Sequence, residues 1–413
     1  MNRPAHSLSV LTLLVILLPL VGGAATTFTS FKPGQTWLAD DGKHINCHGG
    51  GIYFENGTYY WFGESRNGKG VACYTSVDLY NWRNRGLVFT PDASISDITP
   101  GCIMERPKVI KCPSTGKYAL WFHLEFAGEG YNTARVAACS SSTVLGPYTF
   151  VRSFRPGNNM SRDQTVFVDD DGSGYHFYSS RDNYDMRLHR LTDDFLNTSG
   201  QDTMILESNA HREAPAVFKY NGTCYLITSG ATGWAPNAAR YDVSTNIWKQ
   251  PWTKKSNPCT GPGADSTFGG QSTFVFKVPG YANAYIFMAD RWTTSNLANS
   301  PHIWLPITIL ANGDIQITWR AQWDLSVFGP PVAILGKNDL TASPLRRYNA
   351  QKVSDRFFDL SGRKATGLFS LNREGPYGMF IKEVNANASL YIHPKFIFLT
   401  YSTAQKGNHA SVP

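Results

Sequence analysis

The chain has 413 residues, 42% of them apolar and 17% charged, with a formal net charge of +7. That balance suits a folded globular protein and excludes intrinsic disorder. The basic residues are scattered, with no Lys/Arg run interleaved with aromatics, so a nucleic-acid surface is excluded and the charge reads as solubility.

The chain opens on an address. Arg3 gives a short basic start, Leu8 to Val21 is almost wholly apolar, and Gly22-Gly23-Ala24 offers a small-residue cleavage site. The stretch falls below the roughly 20 residues that span a bilayer, so residues 1–24 are expected to be a cleaved signal peptide, with no membrane partner afterwards. Sequons at Asn56, Asn159, Asn197, Asn221 and Asn387 agree with a secreted, extracellular glycoprotein. In that setting some of the seven cysteines are expected to form disulfides, with at least one left free. No Cys or His spacing suits zinc, and Asp169–Gly172 reads as a turn, so neither metal nor cofactor is expected.

From Gly49 onward one pattern recurs: a short apolar strand, a Gly-containing turn, and a second strand rich in aromatics. It reads GGGIYFENGTYYWFGE, RPKVIKCPSTGKYALWFH, QTVFVDDDGSGYHFYSS, APAVFKYNGTCYLITSG and STFVFKVPGYANAYIFMAD. The turn glycines Gly57, Gly116, Gly172, Gly222 and Gly280 lie 59, 56, 50 and 58 residues apart. Each interval has room for a second hairpin, such as VACYTSVDLYNWRNRG or AARYDVSTNIWKQPW. Four short strands per unit, five units and no amphipathic helix predict an all-β, five-bladed β-propeller over about residues 32–328. Strands at Ile303–Leu310 and Ile315–Trp319 are expected to complete the last blade. Residues 329–413 show no clear repeat and form a C-terminal extension without an assigned structure.

Nine residues before the turn glycine stand His48, Asp163, Glu213 and Gln271. In the second unit, whose turn is longer by two, Glu105 stands eleven before. Four residues beyond each comes an apolar residue: Ile52, Val109, Phe167, Val217 and Val275. One polar slot thus recurs just ahead of the first strand of every blade, the strand that lines a propeller's axis. Such residues can be simple strand caps. Three carboxylates facing one another, however, repel and shift each other's pKa, which is how acids are tuned for chemistry. Hydrolysis of an acetal needs one group to protonate the leaving oxygen and another to deliver water to the opposite face. Glu213 is the candidate acid, Asp163 its modulator, and Glu105 with Arg106 a grip on sugar hydroxyls.

These residues carry a resemblance. RDQTVFVDDDG around Asp163, HREAPAVFKYNGTCYL around Glu213 and HGGGIYFENGTYYWFGE look like glycoside hydrolase family 43. INCHGGGI, YYWFGES, CYTSVDLYNW, MERPKVI, RDQTVF, TGWAPN and MADRW are similar to its exo-β-1,3-galactanase subfamily. The resemblance implies an inverting glycosidase that releases galactose from a β-1,3-galactan main chain, working as a monomer on a polysaccharide. It implies Glu213 as general acid, Asp163 as pKa modulator and Glu105 as a substrate-holding carboxylate. Glu64, Arg106, Tyr131, Asn183 and Thr232 are implied as further sugar contacts. Most of the family places an Asp base in the first slot, where this chain has His48. The galactanases are thought to use a Gln in the fifth slot, which matches Gln271. An amide is a poor base, so Gln271 either acts as its imidic-acid tautomer or merely positions water, and His48 is the rival base. The alternatives are an arabinofuranosidase or xylosidase of the same family, and a non-catalytic carbohydrate-binding propeller.

Overall fold

A computed structural model describes residues 27–66 and 70–331, and farther on the strand segments 370–373, 379–382, 388–393 and 396–401. The expected signal peptide and Asn387 lie outside the described residues.

The tight turns of the sequence become hairpins. Asn56-Gly57 and Asn221-Gly222 all have positive φ, as a two-residue turn matched to strand twist requires. Both asparagines are exposed. Blade 1 holds β1 (His48–Glu55), β2 (Thr58–Ser65), β3 (Gly70–Ser76) and β4 (Arg83–Phe89), ordered β1-β2-β3-β4. Blade 2 repeats this with β5 (Ile103–Lys111), β6 (Tyr118–Glu125), β7 (Arg135–Ser141) and β8 (Thr149–Phe154). Blade 3 holds β9 (Gln164–Val168), β10 (Gly174–Ser180), β11 (Asp185–Leu191) and β12 (Thr198–Glu207). Blade 4 holds β13 (Arg212–Tyr220), β14 (Thr223–Gly230), β15 (Arg240–Ser244) and β16 (Thr253–Lys255). In blade 5, β18 (Gln271–Lys277), β19 (Tyr285–Asp290), β20 (His302–Ile309) and β21 (Ile315–Thr318) follow the same order. A short β17 (Cys259–Thr260) runs parallel to β21 as a fifth strand. Only short 3-10 turns interrupt the strands among the described residues. The fold is the predicted five-bladed propeller.

The inner strands β1, β5, β9, β13 and β18 each pack on the next, and β18 packs back on β1, closing a ring. Between blades the sheets bury apolar faces. Phe62, Val71 and Cys73 of blade 1 meet Leu120, Phe122 and Cys139 of blade 2, and Phe177 and Leu188 of blade 3 meet Val217 and Leu226 of blade 4. The seam between blades 5 and 1 is aromatic. Phe31 stacks on Trp323 at 4.3 Å, Trp61 lies 4.7 Å from Trp304, and Trp37 meets both Trp61 and Trp304. Phe31 also pairs with Trp323 through the backbone in both directions, at 2.7 and 3.1 Å, so the N-terminal segment closes the ring against the end of blade 5.

The expected disulfides are not formed. All seven cysteines are buried free thiols, spread over four blades. Cys73 and Cys139 pack in the core between blades 1 and 2, where burial pushes both thiols upward and they serve as small apolar groups. The turn at Asp169–Ser173 is closed by backbone hydrogen bonds, and Lys219 Nζ pairs with Asp169 Oδ1 at 2.5 Å, so a cation side chain sits at this acidic turn.

Residues 279–282 and 328–413 form a second compact unit. Within it Ser370–Arg373 (β22) pairs antiparallel with Met379–Lys382 (β23), and Ala388–His393 (β24) with Phe396–Tyr401 (β25). The expectation of an unassigned extension falls mostly outside the described residues, and these two hairpins are the part of it that is seen.

Trp304 is 1% exposed at the aromatic seam. Trp304→Ala is expected to destabilise the propeller by about 3–5 kcal/mol through the cavity it leaves. Urea denaturation followed by tryptophan fluorescence checks this; an unchanged midpoint would show that the seam does not hold the ring closed.

Candidate active site

Each slot residue stands at or near the start of an inner strand, and in four of the five the backbone beside it is bent. The ladder slips between His48 and Gly51 in β1, Glu105 and Lys108 in β5, Glu213 and Ala216 in β13, and Ser272 and Phe274 in β18. These are β-bulges, which re-aim a side chain at the rim of a sheet. In three blades the residue after the slot is left-handed: Gly49 at φ 56°, Arg106 at 55° and Ala214 at 56°. Glycine suits this conformation, whereas Arg106 and Ala214 hold it against a cost of order 1–3 kcal/mol each. At Gly49 a Cβ would also come within 3.2 Å of the Arg106 backbone nitrogen.

Glu105, Asp163, Glu213 and Gln271 meet in one cavity of about 250 Å³, together with Glu64, Arg106, Tyr131 and Asn183, and bulges bend the strands of Glu105, Glu213 and Gln271 beside it. Glu213 is its centre. Oε2 accepts a hydrogen bond from Asn183 Nδ2 at 2.9 Å, and Oε1 accepts one from Gln271 Nε2 at 2.8 Å. Asn183 reaches it from a turn in which Arg181, Asp182 and Asn183 all have positive φ. Burial, and then the charge of Asp163, raise the Glu213 carboxyl to about 8, against the pull of Arg106 and the Gln271 hydrogen bond. The group therefore keeps its proton at neutral pH and can give it to a leaving oxygen.

Arg106 ties this centre together. Its guanidinium meets Asp163 Oδ2 at 3.0 Å, donates to Ser272 O at 2.8 Å, and donates to Gln271 Oε1. Asp163 Oδ2 also accepts the Ala214 backbone N–H at 3.1 Å, so it sits against the base of the Glu213 strand. Gln271 Oε1 accepts a second bond from Trp292 Nε1 at 2.9 Å. Arg and Trp nitrogens only donate, which fixes the amide orientation: Oε1 toward them, Nε2 toward Glu213 and Ser229 Oγ. An imidic-acid tautomer would turn an O–H toward two N–H donors. This arrangement holds the plain amide.

On the other wall Tyr131 donates to Glu105 Oε1 at 2.8 Å, and Arg66 lies 3.4 Å from the same oxygen and 3.0 Å from Glu64 Oε1. Burial alone would raise Glu105. The neighbouring His123, Arg66 and Tyr131 overcome it and bring the carboxyl down to about 2. Glu64 is pushed well up by burial and the charge of Glu105, only partly offset by Arg66.

Two expected residues lie elsewhere. His48 is fully buried behind the cavity, stacked on His302 at 5.0 Å, with Nε2 3.4 Å from Ala298 O and Nδ1 3.6 Å from Asp290. The packed reading of His48 holds, and it is not placed to act on water as a base. Thr232 does not line the cavity. Its hydroxyl donates to Ala235 O at 2.6 Å and accepts from Asn237, shaping the loop that presents Gly233 and Trp234 instead. Sequence reasoning missed Arg66, His123, Trp234 and Trp292 as lining residues. Arg66 lies 5.6 Å from the Trp234 ring centre and 5.3 Å from that of Trp292. Both tryptophans belong to motifs that carried the resemblance, TGWAPN and MADRW, and their rings were the available signal. Among the described residues, two clusters have ligand atoms within 4.8 Å of one another, His48/Asp290/His302 and Glu105/His123/Asp163. Each is already engaged within the protein: His302 Nδ1 is hydrogen-bonded to Asp290 at 2.8 Å, and His123 Nδ1 lies 3.4 Å from Glu105.

The chain is similar to known proteins of one family. The model of glycosyl hydrolases family 43 matches residues 51–303. No curated protein sequence matches. Among solved structures, a family 43 β-1,3-galactosidase bound to galactodeoxynojirimycin is 40% identical with a TM-score of 0.69, the match covering 71% of this chain and all of that one. An exo-β-1,3-galactanase from Phanerochaete chrysosporium, solved with β-1,3-galactotriose, is 32% identical with a TM-score of 0.66, over 72% of this chain and 68% of that one. One from Clostridium thermocellum is 33% identical with a TM-score of 0.66, over 75% and 69%.

The Glu213 proton is expected to be held below pH of about 8 and lost as the pH rises through it. Asp163→Asn removes the neighbouring negative charge and should move that titration down. Carboxyl carbon NMR of glutamate-labelled protein reads both; a Glu213 carboxyl already ionised at pH 6 would contradict the geometry.

Proposed function

The chain belongs to glycosyl hydrolases family 43, and on that premise we propose that it is an inverting exo-β-1,3-galactanase acting on the β-1,3-galactan main chain of arabinogalactan. The observation that carries this reading is a buried carboxyl, Glu213, held toward a sugar-sized cavity by Asn183 and Gln271, with burial and the charge of Asp163 raising its proton affinity.

Glu213 gives its proton to the glycosidic oxygen as the bond to the anomeric carbon breaks. Asp163 keeps the acid's proton affinity high through its charge and is itself oriented by Arg106 and the Ala214 N–H. Water attacks the opposite face of the ring. Gln271 positions that water with the amide nitrogen that the structure shows donated to Glu213, so substrate entry has to part that bond. Glu105 is ionised and faces the same cavity, where it accepts hydrogen bonds from sugar hydroxyls, and the proton shed by the attacking water passes to solvent. Arg106, Glu64, Tyr131 and Asn183 supply further polar contacts, and Trp234 and Trp292 offer ring faces to the sugar.

The apolar Leu8–Val21 stretch supports export and extracellular action. The pentosidase reading calls for an Asp in the first-blade slot, which holds a buried His48. A binding-only propeller would have no use for an acid tuned by a second carboxylate.

Glu213→Gln is expected to lower kcat on β-1,3-galactan about 10²–10⁴-fold while leaving oligosaccharide binding largely intact. Galactose release and calorimetry measure the two effects, and near-normal turnover would refute the assignment. Proton NMR of the parent reaction should show α-galactose first, because inversion at a β-linkage gives the α anomer.

A further inference from the structure

Behind Glu105 lies a second carboxylate that the reaction scheme does not use. Glu125 ends β6, is 0% exposed, and would be a costly lone buried charge. Its Oε1 lies 2.7 Å from His123 Nε2, and its Oε2 accepts the Ala134 backbone N–H at 2.7 Å. His123, 1% exposed, turns its other nitrogen to the cavity: Nδ1 lies 3.4 Å from Glu105 Oε2, a contact poorly aligned for a hydrogen bond but close for an ion pair. One imidazole thus stands between two carboxylates. Both ring nitrogens face anionic oxygens, an arrangement satisfied only when both carry protons.

We propose that His123, held as an imidazolium by Glu125, is a positioning residue that keeps Glu105 ionised and aimed into the cavity throughout the working pH range. The inference deepens the galactanase reading, which needs an anionic Glu105, but its physical core is independent of the substrate.

The surrounding charges fit. Facing Glu105 are Arg66 and Glu64 from blade 1, His123 and Tyr131 from blade 2, and Asp163 from blade 3, itself paired with Arg106. His123 stands between Glu105 and Glu125, while Arg66 is shared between Glu105 at 3.4 Å and Glu64 at 3.0 Å, whose carboxyl burial pushes well up. Arg66 reaches Glu105 from a partly open loop, whereas His123 reaches it from the middle strands of the sheet. The imidazolium is the fixed part of the clamp. Burial works against a charged His123, but contact with Glu105 and Glu125 carries its proton affinity up to about 9.

The proposal has a direct test. Nitrogen-15 spectra of histidine-labelled enzyme, with His123 identified by its loss in His123→Asn, should show an imidazolium at pH 7 that titrates near 9. In Glu125→Gln, which keeps shape and the Ala134 contact, that titration should fall by about 1–3 pH units. In His123→Asn, the acid limb of kcat/KM that reflects Glu105 should rise by about 1–3 pH units, because the opposite charge beside it is gone. Glu125→Gln should leave that acid limb in place and lower kcat/KM as the pH rises through the lowered His123 titration, because a neutral imidazole no longer orients Glu105 even though that carboxylate stays ionised. A neutral His123 at pH 7 in the parent enzyme overturns the clamp, as do folded variants whose pH profiles superimpose on the parent's. If His123→Asn fails to fold, Glu125→Gln and the parent spectra decide alone. An imidazolium at His123 in a protein that does not release galactose would count against the galactanase reading and leave the clamp standing.

Discussion

The buried guanidinium of Arg106 is the interaction on which the site depends. It grows from blade 2, pairs with Asp163 of blade 3, and donates to Gln271 and Ser272 of blade 5. Three blades are thereby fixed to one another at the mouth of the ring. A charge this deeply buried is costly unless it is paired and hydrogen-bonded, and it is both. Its five donors in a rigid fork suit that role as a lysine ammonium would not. The residue pays for its place with a left-handed backbone, and Gly49 gives it room.

Around this hub the same local device recurs. A bulge follows the slot in four inner strands, and in three of them the next residue is left-handed. A regular strand would alternate side chains between the two faces of the blade. The bulge instead swings the slot side chain over the end of the strand, toward the axis. Strain at these positions is tolerated because the strand continues into apolar sheets that are buried between neighbouring blades.

The environment then gives carboxylates of one ancestry opposite properties. Glu213 and Glu105 occupy equivalent positions in their repeats, yet one is driven to about 8 and the other to about 2. Both are buried. The difference is company: beside Glu213, burial and the charge of Asp163 outweigh Arg106, whereas Glu105 faces an imidazole, a guanidinium and a phenol that outweigh its burial. Separating proton affinities in this way is what allows one group to act as an acid while another stays ionised in the same cavity.

The repeats, the strand order and the slot were legible in the sequence because a hairpin leaves a local mark: alternating apolar residues, an Asn-Gly turn, a fixed distance between them. Those marks determined the propeller and named Glu105, Asp163, Glu213 and Gln271. The family resemblance added Asn183 and Tyr131, which the structure indeed brings to the cavity, and Thr232, which it does not. The rest was settled only when the ring closed. His48 shares the slot's spacing with the acids, but its side chain is covered by Asp290, Ala298 and His302, all about 250 residues away in sequence. His123 and Glu125 read as ordinary alternating residues of β6, and nothing local shows that one faces Glu105 across the blade. The cysteines suggested bridges, but each is buried as a free thiol, several of them in the apolar packing between blades. Local spacing determines which residue begins each strand. Which charges then surround it depends on contacts between blades, and those contacts set its proton affinity and so its chemistry.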